Sequence, residues 1–411
     1  MLVIVLLIRS INHSEYRQRL SERLGVLPTT LKPNGIIVHA ASVGEIIALK
    51  PFISQLIKKY PNLAITVTTF TPTGSAQVKK LFADKVQHCY LPLDNILSTQ
   101  LFLQRLKPKA MVFMETELWP NLIAQSKSKN IKLLLVNGRL SDKSMRSYQK
   151  LTWLITPAIQ CFDKILTQSQ VNQDNYLALG ANTKQCELSG NLKFDISLNP
   201  DVVSKQQELA KLIVEPRNIL LIASTHPGDE ALALQAFDQV KQQDNTALLI
   251  IVPRHPERFE QVTKLAQEAG NQVLRRSEAH SVTLNANVWI IDTLGELLPA
   301  CALANVVIMG GSFSDIGGHN PLEPALFKKP VIVGPNMSNF KEILAQLHNA
   351  NGVVQVDENE DMPQALAQEV KALLTDHDTT LSLGKNAYSV VQANQGATQR
   401  SLAALQQLID E

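Results

Sequence analysis

The sequence predicts an α/β protein made of two doubly wound parallel sheets. Short apolar runs recur along the chain, and each ends in polar residues before passing into helical periodicity, the signature of βαβ units. The runs fall into two series separated by a polar, proline-containing stretch at residues 196–202. The 411 residues suffice for two domains of ordinary size. The expected division is 1–197 and 198–411, with the last helix packing back on the first domain and a cleft between the two.

In order, residues 36–38 form the first strand, followed by His39-Ala40-Ala41-Ser42-Val43-Gly44-Glu45 and a helix over 46–59. Strands follow at 65–69, 86–91, 110–114, 132–136 and 161–166, and GNLKFD (190–195) closes the series. The second series has strands at 218–223, 247–252, 288–291, 306–309 and 330–335. The chain ends in a helix over 397–408, after a separate short helix at 385–393 and a break at Gly396. Polar residues gather after the strands, at the edge where doubly wound sheets bind ligands.

The apolar fraction of 45% and charged fraction of 18% are those of a globular protein. The near-zero net charge hides an asymmetry. Residues 1–200 hold 24 of the 39 Lys+Arg and 12 of the 37 Asp+Glu, about +12, which leaves 15 and 25, about −10, for residues 201–411. A basic first half suits an anionic partner: a phosphorylated substrate, a membrane surface or nucleic acid. Its basic residues are not interleaved with aromatics, which disfavours a nucleic-acid channel. Residues 1–8 (MLVIVLLI) are uniformly apolar but far short of the roughly 20 needed to span a bilayer. With Arg9, His13, Arg17, Arg19 and Arg23 following on a helix, they read as an interfacial anchor on an anionic leaflet, or else as a buried first element. The four cysteines are scattered, with no zinc or disulfide pattern.

Residues 306–335 form the most informative stretch. A strand ends in Gly310-Gly311-Ser312, where paired glycines let backbone N–H groups approach a ligand. Gly317-Gly318 then leads into His319-Asn320-Pro321-Leu322-Glu323, with Pro321 opening a helix over 322–327 and Glu323 in its first turn, placed for sugar hydroxyls. In the first series, Glu45 opens a helix; it either complements the helix dipole or serves as a general base. Glu115 and Glu117 follow a very apolar strand, where carboxylates are costly unless paired or used, and Glu115 lies nearer the strand's end. Lys193 could meet a phosphate or carboxylate, or pair with Asp195. Two prolines in Pro253-Arg254-His255-Pro256-Glu257-Arg258 fix the backbone after a strand and orient Arg254 toward the sheet edge. No GxxxxGK(S/T), no GxGxxG after the first strand, and no GxSxG or HExxH occurs, so P-loop NTPase, NAD dehydrogenase, α/β-hydrolase and zinc protease readings are disfavoured. No Asp-x-Asp pair suggests a metal, and no cofactor is called for.

Together, HAASVGE, TVTTFTPTG, METELWPN, GNLKFDIS, STHPGDE, VPRHPERF, DTLGEL and GGSFSDIGGHNPLEPA, in this order across nearly the whole chain, resemble the 3-deoxy-D-manno-octulosonic acid (Kdo) transferases of lipopolysaccharide synthesis. The resemblance implies the GT-B glycosyltransferase fold, two Rossmann-like domains facing a cleft. It also implies metal-independent, inverting transfer of Kdo from CMP-Kdo to a phosphorylated lipid A precursor at the cytoplasmic face of the inner membrane, by a peripheral or monotopic enzyme. By motif, Glu45 would be the general base, and Glu115 and Lys193 would stabilise the transition state. Pro253, Arg254, Leu294, Gly295, Glu296, Asn320, Pro321, Leu322 and Glu323 would hold CMP, with N–H groups around Gly311 and Ser312 stabilising its phosphate as it leaves. The family usually begins with a longer apolar segment and a basic, aromatic-rich stretch; here that region is short. Two other readings share these features: a sugar-nucleotide epimerase of the same fold, and a non-catalytic nucleotide-binding protein.

Overall fold

The computed structural model describes residues 14–196, 200–358 and 361–410. The expected anchor, residues 1–8 with Arg9 and His13, lies outside the described residues. The chain divides into two compact units: Met1–Asp195 with Asn394–Glu411, and Ile196–Ala393.

The first unit holds a seven-stranded, all-parallel sheet: β1 (Ile36–His39), β2 (Ile65–Thr69), β3 (Gln87–Tyr90), β4 (Ala110–Met114), β5 (Lys132–Gly138), β6 (Lys164–Thr167) and β7 (Cys186–Leu188). Their order is β3-β2-β1-β4-β5-β6-β7. Val38 pairs with Val67 on one side and Val112 on the other. Because βαβ crossovers cover both faces of such a sheet, its central strands are apolar throughout, as in AMVFM of β4, where all five residues are buried. Strand alternation sorts the core into two layers. Ile37, Met111, Phe113 and Leu135 face one way. Val38, Val112, Met114 and Leu134 face the other, against Ile46, Leu49 and Phe52 of the Val43–Lys59 helix.

The Ala397–Asp410 helix belongs to that second layer through Leu402, Leu405 and Leu408. The Asp195 carboxylate anchors its start, accepting from the amides of Gly396 (2.6 Å) and Thr398. Arg400 Nε donates to the Ser189 carbonyl at 2.8 Å.

The second unit repeats the plan with β8 (Ile219–Thr225), β9 (Leu248–Pro253), β10 (Val273–Arg275), β11 (Val288–Ile290), β12 (Val306–Met309), β13 (Val331–Val333) and β14 (Val354–Gln355), in the order β10-β11-β9-β8-β12-β13-β14. Leu220, Ile222, Leu249, Ile251, Ile290 and Ile308 pack against Phe237 of the Asp229–Lys241 helix and Leu366 and Val370 of the Met362–Thr375 helix. In each sheet the winding reverses beside the first strand, between β1 and β4 and between β8 and β12. Ligands of doubly wound sheets bind at such switch points.

Several expectations are corrected. The stretch at 196–202 is not all linker, since a helix runs Pro200–Leu212. Residues 161–163 are not strand; the Cys161 amide closes the preceding helix on the Pro157 carbonyl. The segment expected as one basic helix is a 3-10 turn (Ser14–Arg17) and a single helical turn (Leu20–Arg23), interrupted by the left-handed backbone of Arg19 (φ 54°). Arg23 is buried between the rings of Phe70 and Tyr90, and Arg19 pairs with Glu22 at 2.7 Å. Arg23 therefore holds the fold together instead of facing a leaflet, while Arg19 stays exposed beside Glu22. Among the described residues no helix is long and apolar enough to cross a membrane.

The helix expected at 385–393 runs His377–Asn394 and contains Gly384. A Cβ there would lie 1.9 Å from the Lys328 carbonyl oxygen. Replacing an exposed mid-helix glycine by alanine stabilises a helix by about 1 kcal/mol. Here the sign reverses: we expect Gly384→Ala to destabilise the protein by roughly 1–3 kcal/mol through overpacking, read as a lowered urea midpoint.

Candidate active site

Three residues other than glycine carry left-handed backbone at the carboxyl ends of central strands: Glu115 (φ 56°) after β4, Asn137 (φ 55°) in β5 and Ser224 (φ 59°) in β8. Each costs roughly 1–3 kcal/mol, and such residues cluster at functional sites. The structure fixes all three. The Glu115 amide donates to Val136 O (3.0 Å), and its carbonyl accepts from Tyr176 Oη (3.1 Å). The Asn137 carboxamide accepts from the Leu192 amide (2.8 Å). Ser224 lies against Gly310, where a Cβ would come within 2.7 Å of the Ser224 carbonyl oxygen.

At the first switch point Ser42 caps the Val43–Lys59 helix, and Glu45 sits three residues on, in the helix's first turn. The Glu45 carboxylate accepts from Ser42 Oγ (2.7 Å) and from the Ala41 amide (2.9 Å). Burial is the largest influence on it, and the nearby Glu117 carboxylate the next; Glu115 adds to the rise, and the carboxyl is pushed up to about 7 despite the two hydrogen bonds. Glu117 is pinned in turn. Its Oε2 accepts from Trp119 Nε1 (2.8 Å) and meets His39 Nε2 (3.3 Å), and His39, buried at the end of β1, contacts Thr68 Oγ1 (2.9 Å) through Nδ1. The structure thus brings Glu45, Glu115 and Glu117 into one electrostatic cluster at the end of β1 and β4. Lys193, half-buried, is carried on the Leu192–Phe194 turn, whose cap Asn191 is tied through Gln168 to Asn137.

At the second switch point Pro253 ends β9, and Arg254 is exposed, its amide bonded to the Thr225 carbonyl at 3.1 Å. Arg258 grips the fully buried Glu230 with two hydrogen bonds, 2.6 and 3.0 Å, and Thr225 Oγ1 donates to the same carboxylate at 2.5 Å. Burial raises Glu323 to about 7 against the opposing charge of Arg254. Leu294 is exposed beside Gly295 (φ 80°), and Glu296 is buried with Arg276 (3.3 Å) and Thr293 as partners.

The glycine loop differs from the open anion cradle that its sequence suggests. The Gly310 amide donates to Ala223 O (2.8 Å), and the Gly311 amide to the Asp229 carboxylate (2.7 Å), which also takes the His226 amide (2.8 Å). An internal carboxylate already holds the place expected for an anion. Ser312 is fully buried, its hydroxyl engaged by Met309 O (2.5 Å) and the Gly334 amide (2.8 Å). The helix after Pro321 is one turn, Leu322–Ala325, too short for a useful dipole; Asn320 closes it by accepting from the Leu322 amide at 3.2 Å. Sequence reading missed His226, Asp229 and Glu230 as site residues, although STHPGDE stood out as a post-strand segment.

Comparison with known proteins accords with this geometry. A family model described as 3-Deoxy-D-manno-octulosonic-acid transferase (kdotransferase) matches residues 18–196, and one described as Glycosyl transferases group 1 matches 229–390. A 3-deoxy-D-manno-octulosonic acid transferase of Haemophilus influenzae is 39% identical over 403 residues, covering 98% of this chain and 94% of the relative. One of Rickettsia typhi is 32% identical over 362 residues, 87% of this chain and 76% of the relative. Among solved structures, UDP-GlcNAc 2-epimerase from Neisseria meningitidis aligns with a TM-score of 0.59 at 17% identity, over 92% of this chain and 100% of that one. A glycosyltransferase from Rickettsia africae aligns with a TM-score of 0.58 at 14% identity, over 92% and 99%. At such identities these structures show the fold alone, two Rossmann-like domains of the GT-B class. Near-full-length identity to the Haemophilus enzyme, together with the matching family models, shows that this chain belongs to the 3-deoxy-D-manno-octulosonic acid transferase family of glycosyltransferases.

Proposed function

We propose that the enzyme transfers Kdo from CMP-Kdo to a lipid A precursor (lipid IVA), with inversion and without a metal, at the cytoplasmic face of the inner membrane. The observation that carries this reading is Glu45: a carboxyl raised to about 7, held by two hydrogen bonds at a sheet switch point beside two further carboxylates. Such a group is poised to accept a proton near neutral pH. Glu45 takes the proton of the acceptor hydroxyl as its oxygen attacks the anomeric carbon of Kdo. The bond to the phosphate of CMP breaks through an oxocarbenium-like transition state. Glu115 and Lys193 stabilise the charge that develops there. Arg254, Asn320 and Glu323 hold the nucleotide, with Pro253, Leu294, Gly295, Glu296, Pro321 and Leu322 shaping its site. Gly311 and Ser312 pack the floor beneath it, since the Gly311 amide and the Ser312 hydroxyl already have partners in the fold.

The test incubates the full-length protein with CMP-Kdo and a tetraacylated lipid A precursor, with and without EDTA. CMP release with a matching gain in lipid mass, unchanged by chelator, is expected. CMP release without lipid product would overturn the acceptor, and loss of turnover with EDTA would overturn metal independence.

The pH profile should expose the carboxylate cluster. Glu45 acts as a base only when ionised, so activity rises with pH through about 7. Glu117→Gln removes the nearby charge that helps keep Glu45 protonated. The acid limb of kcat/KM should therefore move to lower pH, and an unmoved limb would show that Glu45 is not the titrating base.

A further inference from the structure

Three neighbouring strands of the second unit, β9, β8 and β12, each lead into a histidine after their carboxyl ends: His255, His226 and His319. The Nε2 atoms of His226 and His319 lie 2.9 Å apart, with the rings nearly parallel (8°) and their centroids 5.0 Å apart. The ring of His255 stands edge-on to His226 at 5.3 Å. A contact this short between two ring nitrogens needs one N–H and one lone pair, because two protons cannot share the gap. The pair therefore holds one proton between its facing nitrogens and has one ionisation step open to it.

Its surroundings keep it neutral. Arg254 and Arg258 lie on the same segment as His255, although Glu230 neutralises Arg258. Asp229 faces the His226 backbone, and its carboxyl is raised by burial. The raised carboxyl of Glu323 follows on the His319 segment, and Glu257 lies 3.7 Å from His255 Nδ1. Burial is the first cause that lowers both imidazoles, His319 to about 4, and neighbouring cationic groups lower them further. Asp229 has one oxygen without a hydrogen-bond partner, and the two glycine-loop amides that an anion would otherwise use are taken. Among the described residues no group of three or more His, Cys, Asp or Glu is arranged to hold a metal ion, so the histidines are not read as ligands.

We propose that the His226–His319 pair is the anion receptor of the second switch point: the phosphate of the nucleotide docks against it beside Arg254, and the pair takes up one proton from solvent as it binds. An arriving phosphate stabilises the imidazolium that burial and the arginine disfavour, and the protonated pair then supplies charged N–H donors in place of the Gly310 and Gly311 amides, which are already taken. This proposal rests on the reading that the second unit binds the CMP-sugar donor.

Titration calorimetry of the full-length protein with CMP at pH 7.5 and below, in buffers of different ionisation enthalpy, measures protons taken up per CMP bound. An uptake that grows toward one proton as the pH is lowered from 7.5 is expected for the wild type, and near zero for cytidine, which lacks the phosphate. CMP affinity should weaken about tenfold per pH unit over the window in which uptake is seen. His319→Gln and His226→Gln should each bring uptake with CMP to near zero while saturable binding persists, with the melting temperature read in parallel. CMP binding to the wild type without proton uptake, or uptake that survives in both variants, would overturn the proposal and leave the donor reading intact. Absence of CMP binding to the wild type would overturn both.

Discussion

Glu45→Gln should lower transfer by about 10²–10⁴-fold, the usual contribution of a positioned general base, and leave CMP affinity unchanged. The substitution isolates chemistry from structure because a carboxamide can occupy the same site. Its oxygen can still accept from the Ala41 amide, and its NH₂ can donate to Ser42 Oγ, which reverses the direction of one hydrogen bond and breaks neither. The Ser42 cap on the Glu45 amide is untouched. What disappears is the ability to take a proton. Steady-state transfer assays paired with CMP calorimetry separate the outcomes. Loss of transfer with intact CMP binding supports the base, whereas loss of both would make Glu45 a structural residue of the helix start.

The second large effect is on stability. Arg258→Met should destabilise the protein by about 3–5 kcal/mol, because it leaves the Glu230 carboxylate charged, fully buried and held by one neutral hydroxyl. Replacing both partners, Arg258→Met with Glu230→Leu, should recover most of that loss, since no charge then remains uncompensated. Urea unfolding of the two variants checks the pair. Equal losses in the single and double variants would show that the ion pair does not anchor the segment carrying Arg254.

The strands at both switch points were legible because a parallel sheet covered on both faces demands continuous apolar runs, and AMVFM or LLIIV admits little else. Short edge strands were not. The three residues of β7 and of β10 and the two of β14 lack the length to show a pattern. The helix expected at 385–393 starts earlier, at His377, and Gly384 inside it permits a close approach to Lys328. In the site, the strand-end motifs fall at the carboxyl ends of both sheets, and the glycine signal misled in detail. Gly310-Gly311 reads as an open cradle until Asp229, 82 positions away in sequence from Gly311, is seen to accept its N–H. Likewise His226 and His319 are 93 positions apart, and nothing local announces that their nitrogens meet.

The return of the C-terminal helix to the first unit has a consequence for biogenesis. A ribosome delivers the first seven strands early, but Leu402, Leu405 and Leu408, which complete one face of their sheet, emerge only after the whole second unit. The continuous unit, Ile196–Ala393, is therefore fully synthesised before its predecessor can close, and the nascent first sheet must wait with part of one apolar face uncovered. Premature termination near residue 394 would leave that face exposed for good, so chaperone dependence and the fate of truncated chains should be governed by the last helix more than by any residue that touches substrate.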